Sequence, residues 1–376
     1  MVANRGLKDN PEMDTTMEQQ FELCGKAFSL EASGNLNSAI KGYQDALLLN
    51  RNNPAPYLYL GYALAKRGDA NHSNQVYSLA ADISPNTINA WRNEQVSSDI
   101  RERSKHADES LRKHFSELHR KVVNSYKAEF PDAMVDRIYE AIWCATHDSE
   151  INYNRADQNP HLFYVPDLEP AAVFNASDYE WCGKLETAFE TIKYEFLSLW
   201  NDPEISGVPY IDSASQLDES WQPLIGSDNW TSLHLYKGTD SFQNIIDKVP
   251  NTHRALQDVP LLCTKGVPRE IVFSVLKEQQ HIPPHFGLAN TDMTVHLPLL
   301  NLEDCAIKVC DGVYPWEEGK LFLFDDSFIH ESWNKGADTR VNLLFAAWHP
   351  DLTEHERNAI TRSFAERDAW NNSRKI

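Results

Sequence analysis

Residues 20–87 repeat themselves at an offset of 34, and this periodicity constrains the first part of the fold more tightly than any composition does. Laid over itself, the chain matches Leu23 with Tyr57, Ala27 with Gly61, Leu30 with Leu64, Gly34 with Gly68, Tyr43 with Tyr77 and Ala46 with Ala80. Small residues fall where two helices must approach closely. Large apolar residues fall between them at helical spacing. Gly34 and Gly68 stand where a helix–turn–helix unit turns, a place that favours glycine.

The pattern resembles two tetratricopeptide repeats, with Pro85 closing the second. Two such units bury little surface alone. Trp91, at the first-helix aromatic position of a third unit, therefore marks residues 88–97 as a cap. Repeats of this kind bind peptides or proteins, or serve as a structural stalk. Beyond them, Leu111, Phe115, Leu118, Val122 and Tyr126 predict an amphipathic helix within 99–130. A second helix is expected over 132–146, after Pro131, and 147–162 is polar enough for a linker.

From Phe163 onward the texture changes. Leu185, Phe189, Ile192 and Phe196 share a helical face within 178–200. Short strand-like runs follow at 231–236, 271–278, 292–299, 305–310, 319–324, 328–333 and 340–348. Asp311-Gly312 is a hairpin signal between two of them. Thr353 with Glu356 forms a capping box ahead of a helix over 354–369. The chain is thus expected to be α+β and multidomain: a tail (1–19), helical repeats (20–97), a helical connector (98–160) and a β-rich domain (161–376).

Asp and Glu number 55 against 35 Lys and Arg, a net charge of −20. No basic block compensates, which argues against nucleic acid and anionic membranes as partners. No apolar run is long enough to span a bilayer. Met1 to Asp14 is polar, with no signal-peptide core. The six cysteines are scattered without a CxxC, and a reducing cytoplasm is expected.

The stretch 271–350 holds the chemistry. Pro284-His285-Phe286-Gly287 is followed by His296, by Phe324-Asp325-Asp326-Ser327-Phe328-Ile329-His330-Glu331, and by Arg340. His285 precedes one strand and His330 sits in a late strand, positions that a β-barrel would bring together across its mouth. Two imidazoles there could hold Fe(II), Zn(II) or Cu(II). Asp325 and Asp326, adjacent on a strand, point oppositely and are read as turn-forming or supporting residues. The segments PPHFGLANTDMTVHLPL, WEEGKLFLFDDSFIHESW and RVNLLFAAWHPDL resemble the aspartyl/asparaginyl β-hydroxylase family, and Phe163-Tyr164-Val165-Pro166 resembles the start of its catalytic domain. Fusion to tetratricopeptide repeats also occurs in that family.

The resemblance implies a double-stranded β-helix (jelly-roll) dioxygenase that uses Fe(II), O₂ and 2-oxoglutarate. Such an enzyme hydroxylates an amino-acid residue or peptide substrate and releases succinate and CO₂. It assigns His285 and His330 to the iron, with Arg340 and Ser274 on the distal carboxylate of 2-oxoglutarate. His296 becomes a second cosubstrate contact. Most related oxygenases add a carboxylate two residues after the first histidine. Gly287 stands there, as is typical of the family. Trp316-Glu317-Glu318-Gly319-Lys320 is read as structural. One departure concerns the substrate: Asp292 and Thr294 occupy positions where the family commonly has arginine. The reversed charge predicts a cationic or neutral group at that contact. A small molecule, such as a free amino acid, a lipid or a natural-product intermediate, is the alternative substrate. A repeat-mediated scaffold with an inactive oxygenase domain is the alternative of another class.

Overall fold

A computed structural model describes residues 11–212 and 218–375. Contacts divide the chain into two compact units, Met1–Val122 with Thr146–Glu150 and Ser363–Ile376, and Val123–Ala145 with Ile151–Arg362.

The first unit is helical. It contains α1 (Pro11–Ala32), α2 (Leu36–Leu49), α3 (Ala55–Lys66) and α4 (Ala70–Ile83). Gly34 and Gly68 turn each pair at φ +85° and +90°, a conformation that costs a side chain dearly and glycine little. The repeat extends to the caps. Asn35 and Asp69 each accept a hydrogen bond from the backbone N–H three residues on, at Ser38 and His72. Ala27, Tyr43, Leu60 and Tyr77 are fully buried between the pairs, joined by Leu111 and Phe115 of α5 (Ser98–Glu129). Gly61 lets Tyr77 in: a Cβ there would lie 2.4 Å from the ring.

The helix expected over 132–146 is reduced to one turn, Asp136–Tyr139. Ile142–Trp143 instead pairs as a short strand with Phe163–Tyr164. Apolar residues there satisfy a tertiary partner that helical spacing alone does not reveal. The helix expected within 178–200 is two, α6 (Glu180–Thr187) and α7 (Phe189–Trp200), meeting at Ala188.

The second unit is built on two antiparallel sheets. The larger contains β1 (Val173–Phe174), β2 (Val208–Pro209), β3 (Trp230–Lys237), β4 (Asp240–Ser241), β5 (Glu270–Leu276), β7 (Asp292–Leu300), β10 (Phe322–Phe324) and β12 (Arg340–Trp348). Its order is β1-β10-β7-β12-β5-β3-β2, with β4 beside β3. The smaller has the order β6-β11-β8-β9, from Gln280–His285, His330–Asn334, Cys305–Val309 and Gly312–Pro315. The β8–β9 loop is Cys310-Asp311, one residue earlier than the Asp-Gly signal suggests, with Cys310 at φ +51°. The strand expected from 319 begins at Phe322, because Gly319 turns at φ +74°.

Period-two alternation gives the larger sheet its two faces. Leu233, Leu235, Ile271, Phe273, Val275, Val295, Leu297, Leu343 and Phe345 pack against Leu185, Ile192, Phe196 and Leu199 of α6 and α7. The opposite face carries Trp230, Glu270, Ser274, Thr294, His296 and Arg340. The capping box forms as expected: Thr353 N–H donates to Glu356 and Glu356 N–H to the Thr353 hydroxyl, at the start of α8 (Glu354–Ser373). Among the described residues no helix is long and apolar enough to cross a membrane.

Candidate active site

The polar face of the larger sheet and the smaller sheet enclose a cavity of about 150 Å³. Its lining includes every strand residue singled out for cosubstrate and metal: Ser274, His285, His296, His330 and Arg340. His285 ends β6 and His330 begins β11, and the two are direct partners across the strands. Their ring centroids are 4.1 Å apart.

Each imidazole is fixed in one tautomer. His285 Nδ1 lies 2.7 Å from the carbonyl of Pro283, and His330 Nδ1 lies 2.9 Å from that of Phe328. A carbonyl only accepts, so each Nδ1 carries its proton and each Nε2 keeps a lone pair. Burial holds both rings neutral, pushing His285 down to about 3 and His330 to about 4. Two neutral imidazoles, each with an Nε2 lone pair, are of the kind that can ligate a divalent ion. Among the described residues no group of three or more His, Cys, Asp or Glu converges to hold an ion.

Gly287 has a steric reason to be glycine. A Cβ there would fall 2.0 Å from Oδ1 of Asp326 and 2.1 Å from its Cγ. The Asp326 carboxylate thus fills the space beside residue 287. It accepts a hydrogen bond from the Thr294 hydroxyl at 3.0 Å and lines the cavity. Asp325 turns away, accepting from Ser327 N–H at 2.9 Å and Gln158 Nε2 at 3.2 Å. The adjacent carboxylates do point apart.

Arg340 is 2% exposed, and its Nε and Nη1 have no hydrogen-bond partner. Its guanidinium lies 4.5 Å from the centroid of Trp316, and burial lowers it to about 10. The Trp316 ring packs on this cation and on His296, at 5.6 Å. His296 is buried with Nδ1 unpartnered. Ser274 accepts the Trp230 indole N–H at 2.9 Å, which leaves its own proton free to donate. A buried guanidinium with two orphaned donors is costly unless an acceptor completes it. The donor set matches a carboxylate.

Asp292 is 1% exposed and does not line the cavity. Its carboxylate lies 3.6 Å from Arg269, which does line it. The negative charge at this contact is thus matched by a cation absent from the sequence reading. Glu270, Tyr210 and Trp230 also line the cavity and were not singled out. Glu270 had a readable signal, since it shares its strand face with Ser274. Arg269 and Tyr210 lie just outside regular strands, where alternation gives none.

Residues 186–350 match the sequence profile of a family described as Aspartyl/Asparaginyl beta-hydroxylase. The chain is 28% identical to human aspartyl/asparaginyl beta-hydroxylase over 187 residues, 48% of this chain and 24% of that protein. It is 28% identical to human aspartate beta-hydroxylase domain-containing protein 2 over 220 residues, 57% of each. It is 29% identical to ornithine lipid ester-linked acyl 2-hydroxylase of Rhizobium tropici over 176 residues, 46% of this chain and 58% of that one. The chain thus spans between about a quarter and three fifths of these relatives. Among solved structures, AviO1 from Streptomyces viridochromogenes Tue57 aligns at TM-score 0.26 and 13% identity, covering 49% of this chain and 89% of that one. A likeness that low carries no argument.

Proposed function

We propose, on the premise that residues 186–350 match the aspartyl/asparaginyl β-hydroxylase family, that this chain is a hydroxylase dependent on Fe(II), O₂ and 2-oxoglutarate. The two facing sheets are read as its double-stranded β-helix, and α1–α4 as two tetratricopeptide repeats. The substrate is an amino-acid compound, either a residue in a peptide or the free molecule. The repeats suit a peptide or carrier-bound form. The six cysteines are free thiols, which supports a reducing compartment such as the cytoplasm.

The carrying observation is Arg340, a buried cation with two unpartnered donors in the same cavity as the paired histidines. His285 and His330 would hold the iron through Nε2, with no proton to remove first. Arg340 would take the distal carboxylate of 2-oxoglutarate as a two-pronged donor, with the Ser274 hydroxyl beside it. His296 would supply a further contact. Two neutral imidazoles add no charge, so a dianionic cosubstrate suits a divalent ion here. The bound iron supplies the oxidation that turns 2-oxoglutarate into succinate and CO₂ while a hydroxyl is placed on the substrate.

The test is an anaerobic titration of the protein with Fe(II) and 2-oxoglutarate, watching for the visible metal-to-ligand charge-transfer band. Wild type should develop the band and His330→Ala should not. A folded wild-type protein without the band would overturn the reading and favour the inactive scaffold.

A further inference from the structure

Arg269 and Glu270 are neighbours in the chain, opposite in charge, and both line the cavity. Among the described residues no ion pair joins them. Arg269 faces Asp292 at 3.6 Å, and Glu270 accepts the Tyr210 hydroxyl at 3.3 Å. In a buried cavity, neighbouring opposite charges close on each other unless each is anchored elsewhere. Here both anchors are visible. Asp292 is buried and draws the guanidinium aside, and the Asp326 carboxylate, which also lines the cavity, adds to that pull. Tyr210 is stacked on Trp230 with centroids 4.0 Å apart and planes 3° from parallel, so its hydroxyl is a fixed donor to Glu270. The result is a cation and an anion held apart, side by side, at one wall of a small cavity.

This wall is distant from the cosubstrate cation. Glu270 begins β5, whereas Arg340 pairs with Leu276 at its other end. Six residues of strand separate the two positions by roughly 20 Å. Arg340 and the Arg269–Glu270 pair therefore serve different groups, with the histidines reaching the cavity from the opposite sheet.

We propose that the Arg269–Glu270 pair recognises a zwitterionic α-amino acid head group, Arg269 taking its carboxylate and Glu270 its ammonium, so that the substrate is a free amino acid. This rests on the hydroxylase reading and narrows it. A residue inside a peptide carries neither charge on its backbone. An acidic side chain would satisfy Arg269 and leave Glu270 facing it, and a basic side chain would do the reverse. A group with both charges complements both sides of this wall at once.

The experiment starts from the anaerobic Fe(II)–2-oxoglutarate complex of the full chain. Its charge-transfer band tests the hydroxylase reading before any substrate is added. The proteinogenic L-amino acids are then added singly, and perturbation of the band gives their affinities. At least one should bind, and its N-acetyl and carboxamide derivatives should each bind about tenfold or more weakly. Glu270→Gln should abolish the preference over the N-acetyl form alone. Arg269→Gln should abolish the preference over the carboxamide alone. The unperturbed band in each variant shows that the site has folded. If the band forms but no free amino acid perturbs it, or if the capped forms bind equally well in wild type, the zwitterion assignment is wrong while the hydroxylase reading stands. Wild-type discrimination retained in both variants would equally overturn it.

Discussion

Gly287→Ala should destabilise the second unit far more than a single methyl suggests. The glycine lies outside the left-handed region, so alanine meets no backbone strain there. On backbone entropy alone the change would stabilise, by about 0.4–1 kcal/mol. The structure predicts the opposite sign. The new Cβ would meet Asp326 Oδ1 at 2.0 Å, where ordinary contact begins at 3.4 Å. The carboxylate must withdraw by more than an ångström, and that breaks its 3.0 Å hydrogen bond from Thr294. Overpacking of this kind costs about 1–3 kcal/mol, and losing a hydrogen bond to a charged group about 1.5–3 kcal/mol. A net loss of about 3 kcal/mol lowers the midpoint of a unit this size by roughly 6–12 °C. Thermal unfolding of the metal-free protein, followed by near-UV circular dichroism, measures it. The same substitution in an Asp326→Ala background should cost less than about 1 kcal/mol, because the clash has been removed. An equal loss in both backgrounds, or none in the first, would refute the assignment of the clash to Asp326.

Three further outcomes follow from the packing. Gly61→Ala should cost the helical unit about 2 kcal/mol, since the fully buried Tyr77 ring has nowhere to move; urea unfolding followed by far-UV circular dichroism checks it. His234 is buried with both ring nitrogens unpartnered, and burial pushes it down to about 4. The unfolded chain therefore binds its proton first, so this contribution is complete above the unfolded value of about 6.5 and is lost as pH falls towards 4, on the order of 3 kcal/mol in all. Urea midpoints of wild type and His234→Leu at pH values across that window should show a shallower slope in the variant, and parallel slopes would contradict the account. Glu356 receives Arg137 at 2.5 and 3.0 Å and caps Thr353 at 2.8 Å while 3% exposed. Glu356→Ala should cost roughly 2 kcal/mol in thermal unfolding, because it removes the cap and two bonds of the guanidinium, which keeps Asp351.

The parts of this molecule that were legible in the sequence are those with a period. The 34-residue offset located Gly34 and Gly68 at their turns. Alternation along 292–299 and 340–348 put Thr294, His296 and Arg340 on the face that lines the cavity. The placement of His285 before one strand and His330 in a late one made them candidates, and the register pairs them directly. What stayed hidden depends on partners. Asp292 could be seen as a charge reversal, but Arg269 beside it could not, because no pattern links a residue before β5 to the start of β7. Trp316 looked structural because nothing in its own segment points to Arg340. Ile142–Trp143 looked helical because its strand partner, Phe163–Tyr164, lies beyond a polar linker.

The two imidazoles, each pinned at Nδ1 by a backbone carbonyl, have a practical consequence at the bench. On the proposed reading, a pair of neutral nitrogen donors would rank first-row ions by the Irving–Williams order, placing nickel and copper ahead of iron. On that reading, protein eluted from a nickel resin is expected to carry the column's metal, and an elemental analysis of it would describe the purification, not the cell. Stripping with a chelator and reloading with ferrous ion under nitrogen therefore comes before any assay of activity.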